Sequence, residues 1–524
     1  MGSWWQSGVI YQVYLRSFAD ADGDGMGDLA GVTARLGYLR RLGVDALWLS
    51  PFYRSPMADM GYDITDHCDV DPLFGTLADF DALVSRAHQL DLRVLLDFVP
   101  NHTSDRHPWF ERARASREAP HRDWYLWADP RSGGPPNNWR SVFGGSAWTH
   151  DPETGQSYYH AYLSSQPDLN WRNPEVRAAM LEVLRFWLRR GADGFRIDAL
   201  RQLVKDAELR DNPPNPDWKP GMPSYEGLLP LRTTEQPESH EAIRAIRALL
   251  DEDGHGDGRL LVGEVWAPVE RLVAYYGSAL DGLHLPANFN LISTPWRGIA
   301  VAALIQAYEA VLAPGAWPNW VLGNHDRARV ASRLGPAQAR VAAMLLLTLR
   351  GTPTLYYGDE VGMENAAIPP ERIVDPVGAN IPGLAGGRDA VRTPMQWDTS
   401  PNAGFCPPGV TPWLPVADGA PVAAQRGDPD STLELYHRLL ALRRAEPALS
   451  IGSYTTVSAT DETLVYLREN GSSRFAVALN LTADTHSVQV PTGRLVVSTA
   501  RTDVSAVSRE LLLKPDEGVV VRCR

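Results

Sequence analysis

Short apolar runs alternate with longer amphipathic segments through most of the chain. The runs fall at 9–18, 46–51, 94–99, 194–200, 260–266, 283–291, 319–326 and 352–360. Several are apolar at consecutive positions, as strands buried on both faces are. Between them, segments 28–43, 76–91, 174–191, 239–254, 298–312 and 337–351 carry apolar residues at helical spacing. Asp28, Thr76, Asn173 and Ser239 stand where N-caps belong, and Gly43 and Gly191 where helices stop. Eight such strand–helix repeats predict a parallel (β/α)8 TIM barrel rather than an open doubly wound sheet.

A barrel of this kind takes about 250 residues, so a chain of 524 must carry insertions and appendages. The largest insertion follows the third strand and is rich in Trp, Tyr, Pro and Gly. We read 1–102 and 172–449 as the barrel and 103–171 as an inserted subdomain over its mouth. A second irregular stretch, 360–415, has no helical period, and a helix follows at 431–445. From 450 to 524 the pattern changes to short alternating strands, which predicts a C-terminal β-sandwich.

Composition narrows the partners. With 50 basic and 63 acidic residues the net charge is −13, which argues against a nucleic-acid partner. No run of about 18 apolar residues offers a membrane span, and the N-terminus lacks the basic start of a signal peptide. Three scattered cysteines, Cys68, Cys406 and Cys523, suit neither a disulfide framework nor a metal site, and favour a reducing cytoplasm. The expected partner is a small molecule, met by a monomer or small homo-oligomer.

The chemistry sits at the strand ends, where barrels of this type place their active sites. Asp97, Arg196 with Asp198, Glu264, and His325 with Asp326 follow four different strands. Like charges converging on one cleft stabilise nothing, so their purpose is chemical. Glycosidic cleavage needs such a set: one carboxylate attacks the anomeric carbon and a second, protonated, serves the leaving oxygen. Arg196, two residues before Asp198, shares its face and is expected to hold it ionised. Glu264, preceded by Leu-Leu-Val, suits the proton donor.

DFVPNH (97–102), GFRIDAL (194–200), GEVW (263–266) and GNHD (323–326), in that order, resemble the four signature segments of the α-amylase family of glycoside hydrolases. QPDLNW (166–171) and GRDAVRTPMQWD (387–398) resemble motifs of its α-glucosidase and oligo-1,6-glucosidase branch. The resemblance implies a retaining mechanism with Asp198 as nucleophile, Glu264 as general acid/base and Asp326 gripping glucosyl hydroxyls. It implies hydroxyl contacts or nucleophile positioning for His102, Arg196 and His325, and a site-holding role for Asp97. It also implies that Asp59, Tyr62 and Arg392 close a pocket around a terminal glucose, an Asp–Arg pair gripping its 4-hydroxyl, with Phe143 and Gln166 at the mouth. Ala199, a small residue after the nucleophile, implies α-1,4 preference through the space beside the next sugar. Leu15 departs from the proline common in similar enzymes. Rival readings are an α-1,6-specific, trehalose synthase-like or sucrose-cleaving relative, and, from a different class, a non-catalytic transporter-associated subunit.

Asp20, Asp22, Asp24, Met26 (through its carbonyl) and Asp28 match alternate positions of an EF-hand-like loop, with Gly25 at the turn and Gly31 where the closing Glu would be. The resemblance implies one structural Ca²⁺ or Mg²⁺ there, away from the cleft, and no organic cofactor.

Overall fold

The computed structural model describes residues 3–252, 258–380, 387–501 and 505–524. Eight parallel strands form the barrel: β1 (Ile10–Val13), β2 (Ala46–Leu49), β3 (Arg93–Phe98), β4 (Gly194–Ile197), β5 (Leu260–Val265), β6 (Leu285–Asn288), β7 (Asn319–Val321) and β8 (Thr352–Tyr356). The bonded order is β6-β5-β4-β3-β2-β1-β8-β7, and β6 and β7, at its two ends, lie side by side and close the ring. Helices α1 (Leu29–Leu42), α2 (Leu77–Gln89), α3 (Pro174–Arg189), α4 (Pro237–Asp251), α5 (Val269–Leu272), α6 (Gly298–Val311), α7 (Pro336–Thr348) and α8 (Thr432–Ala445) follow the strands in turn.

The strand residues obey the two-residue period. Ile10, Ala46, Trp48, Leu95, Leu260, Val262, Leu285, Ala287 and Val321 share one apolar cluster, the barrel interior. Their neighbours Tyr11, Leu47, Leu96 and Leu261 join the larger core beneath the helices. Asp97 is in phase with Leu95, and Glu264 with Leu260 and Val262. The interior row therefore runs from apolar at the strand starts to charged at the strand ends. Gly194 allows β4 and β5 to approach, since a Cβ there would sit 2.0 Å from the Leu260 carbonyl oxygen.

Asp28, Thr76 and Asn173 cap their helices as expected, each accepting a backbone N–H of the first turn. Ser239 does not. Pro237 at the first helical position starts α4 earlier, with Gln236 at the N-cap. Gly43 ends α1 in the left-handed conformation, φ 100°, while Arg190 caps α3 and Gly191 follows it.

A three-stranded antiparallel sheet (Trp127–Ala128, Trp148–His150, Ser157–Tyr159) lies between β3 and α3. After α8 come β9 (Ser453–Ala459), β10 (Thr463–Asn470), β11 (Ser473–Asn480), β12 (His486–Gln489), β13 (Gly493–Ser498), β14 (Ala506–Val507), β15 (Glu510–Leu513) and β16 (Gly518–Cys523). Six of these form an antiparallel sheet, and β12 and β15 form a two-stranded ribbon. Val465, Ala476, Val488, Leu511 and Val519 fill the core they share. Among the described residues no helix is long and apolar enough to cross a membrane.

Candidate active site

Asp97 on β3 and Arg196 on β4 are register partners, so their side chains meet across the ladder inside the barrel. Arg196 Nη1 donates to Asp97 Oδ1 at 2.8 Å and to Asp198 Oδ1 at 2.7 Å. Its Nη2 lies 2.8 Å from Glu264 Oε2. One buried guanidinium thus anchors three carboxylates, two of which, Asp198 and Glu264, face the cavity.

Three negative groups around one cation favour retention of a proton in the cluster. Burial pushes Asp97 up to about 6, with Arg196 and Tyr62 opposing. Asp198 is also raised, by burial first and then by Glu264 and Asp97, against the pull of Arg196. Arg196 pulls Asp198 down as expected, but desolvation and two like charges outweigh that one shared cation.

Asp326 behaves oppositely. Burial alone would raise it, but His325, Arg388 and Arg392 outweigh that and hold it well below the usual carboxylate range. His325 is pushed down to about 3 by burial, with Arg392 and Arg196 adding, so its ring is neutral. It lies between Tyr14 and Tyr62, stacked on the latter at 5.5 Å and 5°. Gln12 Nε2 is 2.7 Å from His325 Nδ1, and the Tyr62 hydroxyl is 2.8 Å from Nε2 and donates to Asp97 Oδ2 at 3.0 Å. A hydrogen-bonded chain therefore links β1 to the charged cluster.

These groups open onto a cavity of about 510 Å³, within the range of small-ligand sites. Of the residues expected to carry the catalysis or touch the sugar, Asp59, Tyr62, His102, Phe143, Asp198, Glu264, His325 and Asp326 line it. Four do not. Gln166 is buried and donates Nε2 to Asp59 Oδ2 at 3.1 Å, the same nitrogen lying 3.1 Å from His102 Nε2. Arg196 forms the floor. Ala199, in the left-handed region at φ 49°, presents its backbone N–H to Glu264 Oε2 at 3.2 Å, while its side chain is buried.

Arg392 is the fourth, and it corrects the expected Asp–Arg pair. It is fully buried, donating to the His325 carbonyl and, at 2.9 Å, to Asp326 Oδ1. Asp59 pairs with Arg388, at 2.7 Å. Arg388 also bonds Asp375 at 2.7 Å, lies 3.3 Å from Asp326, and covers the Phe143 ring.

Sequence reasoning missed Arg388 and Tyr162, and the further lining residues Arg201, Gln202, Pro223, Tyr225, Glu226, Trp266 and Arg327. Arg388 and Trp266 lie inside quoted motifs and were available. Pro223, Tyr225 and Glu226 come from an aperiodic stretch without any signal.

In the 20–28 loop, carboxylate oxygens of Asp20, Asp22 and Asp28 lie within 4.8 Å of one another, and Asp24 stands outside that group. Asp20 also accepts from Gly23 and Gly25, and Asp28 from Ala21, Asp22 and Gly31. The convergence of three carboxylates fits a divalent cation. None of them lines the cavity.

The profile described as "Alpha amylase, catalytic domain" matches residues 12–452. The chain is 43% identical to a probable α-glucosidase of Rhizobium meliloti, over 94% of this chain and 92% of that one. It is 39% identical to maltase 1 of Drosophila virilis, over 100% of this chain and 87% of that one. The crystal structure of the α-glucosyl transfer enzyme XgtA superposes with a TM-score of 0.93 at 40% identity, covering 100% of both chains.

Proposed function

Because the chain belongs to the α-amylase family of glycoside hydrolases, we propose that it is an exo-acting, retaining α-glucosidase that removes terminal non-reducing α-1,4-linked glucose from maltose, short oligosaccharides and glucosides. The observation that carries this reading is the pairing of Asp198 and Glu264 to one guanidinium in a cavity that the ion-paired Asp59 and Arg388 also line. Asp198 attacks C1 while Glu264 gives its proton to the leaving oxygen. Water then attacks the glucosyl-enzyme as Glu264 takes a proton back, so the anomer is retained. Asp326, ionised and fixed by two arginines, accepts hydroxyl hydrogen bonds of the distorted glucosyl ring. Tyr62 and Phe143 flank the pocket, and the Asp59–Arg388 pair meets the terminal hydroxyl and leaves no passage for a longer chain.

An alcohol or second sugar in place of water makes transglucosylation a side activity, a reading supported by likeness to the α-glucosyl transfer enzyme. The reading includes one structural Ca²⁺ or Mg²⁺ held by Asp20, Asp22 and Asp28, and a cytoplasmic location, supported by three unpaired cysteines.

The test is product analysis on maltose, isomaltose, sucrose and trehalose. Glucose released first as the α-anomer from maltose is expected, and trehalose as the main product from maltose would overturn the reading. Asp198→Ala should lower turnover by roughly 10⁴-fold or more with the fold intact.

A further inference from the structure

Trp266, two residues beyond Glu264 on the same strand end, is tied to that carboxyl more closely than packing requires. Its indole N–H donates to Glu264 Oε1 at 2.8 Å. The indole is itself fixed. Phe289 stacks on it at 4.2 Å and 11°, and the Arg327 guanidinium sits 4.5 Å from the ring. Two groups cannot share one face at these distances, so they occupy opposite faces. Arg201 Nη1 donates to the Trp266 carbonyl.

The two oxygens of Glu264 are therefore unequal. Oε2 faces the Ala199 N–H at 3.2 Å and the Arg196 guanidinium at 2.8 Å. A proton placed there would point into a donor and a cation. Oε1 faces one donor, the indole, and has one lone pair left. We infer that Trp266 is a positioning residue for proton transfer, its indole N–H fixing Oε1 of Glu264 so that the proton is presented to the glycosidic oxygen in a single direction. The inference rests on the acid/base role of Glu264 proposed above. The proton leaves Oε1 for the departing oxygen as the C1–O bond breaks and the Asp198 oxygen bonds C1. The indole N–H then stabilises the carboxylate produced at that moment.

The test uses Trp266→Phe, which keeps a ring between Phe289 and Arg327 and removes the donor. A carboxylate that loses a donor holds its proton to higher pH. The alkaline limb of kcat/KM for maltose should therefore move up by about one pH unit. Maltose turnover should fall about tenfold or more, while α-glucosyl fluoride, whose leaving group needs little acid assistance, should lose at most about threefold. An unmoved alkaline limb in a folded variant would overturn the inference. If Trp266→Phe does not fold, Phe289→Leu, which frees the indole but keeps its N–H, serves instead: a limb displaced the same way supports the role, and an unmoved one overturns it. Glu264→Gln with azide and α-glucosyl fluoride checks the parent reading separately, since formation of α-glucosyl azide is expected whatever Trp266 does.

Discussion

Two arginines four positions apart, Arg388 and Arg392, share one motif and both reach Asp326, at 3.3 and 2.9 Å. Their duties nevertheless differ. Arg388 lines the cavity and neutralises Asp59. Replacing it with Gln strips a charged hydrogen bond from the pocket, so kcat/KM for maltose should fall about 10- to 100-fold, and because it leaves buried Asp59 and Asp375 without their cation, stability should fall as well. Arg392 lies wholly inside, and Arg392→Gln leaves Asp326 short of a buried partner, so about 3–5 kcal/mol of stability should go with it. Steady-state kinetics on the folded variants separate the two: Arg388→Gln should cost the larger share of kcat/KM, and a loss from Arg392→Gln as large as that from Arg388→Gln would refute the division. The sequence could not assign these roles. The single 3-10 turn at Asp389–Val391 sends one arginine into the cavity and the other beneath it, and no periodicity rule covers such a turn. Asp97 and Glu264 were legible because each extends the two-residue alternation of a strand whose interior row was already visible, as Leu95 before the one and Leu260 and Val262 before the other.

At the scale of elements, strands and most helices could be read because burial imposes a period, whereas the wall formed by Pro223, Tyr225 and Glu226 could not, because aperiodic chain is shaped by what it packs against. The 20–28 loop lies between these cases. Its spacing suggested five ligands, and three carboxylates converge. The loop also ties the barrel to the stretch beyond 400. Asp20 N–H donates to the Phe405 carbonyl, Trp413 N–H to the Gly25 carbonyl, both at 2.9 Å, and Asp28 caps α1. At Gly25, with φ 93°, a Cβ would lie 2.3 Å from the Thr411 carbonyl oxygen, so the loop has no slack. A cation held here at about 100 times its Kd would add about 2.7 kcal/mol to stability, equivalent to a few degrees in Tm. EDTA should therefore lower Tm by that amount and leave KM for maltose unchanged at temperatures where the protein is folded. Asp22→Ala should abolish the EDTA effect; a wild-type Tm indifferent to EDTA would remove the cation from the account.

The molecule's response to acid depends in part on buried histidines, which carried no visible signal because burial is the largest cause of their shifts. His67, on the second strand of the antiparallel pair Tyr53–Arg54 and Asp66–Val70 after β2, meets the helix Pro108–Arg114 and its N-cap, stacked on Trp109 at 6.3 Å and 5.6 Å from His107. Burial pushes it down to about 4, with His102 adding, and pushes His107 down to about 2, with His67 adding. Unfolded, each titrates near its ordinary value of about 6.5. Between pH 6.5 and 4 the unfolded chain binds a proton at position 67 that the folded chain refuses. Stability is therefore complete above that window and is lost as pH falls through it, at about 1.4 kcal/mol per unit, roughly 3 kcal/mol in all. Asp97 and Asp359, raised by burial to about 6 and about 7, act in the opposite sense, their stabilisation fading as pH rises through those values. They are present in wild type and variant alike, so a single substitution isolates the histidine. His67→Phe keeps an aromatic ring against Trp109 and cannot take the proton. Urea unfolding should find it no more stable than wild type at pH 7.5 and about 2–3 kcal/mol more stable, relative to that starting point, at pH 4.5. Curves for the two proteins that stay parallel across this range would show that His67 is protonated as readily folded as unfolded.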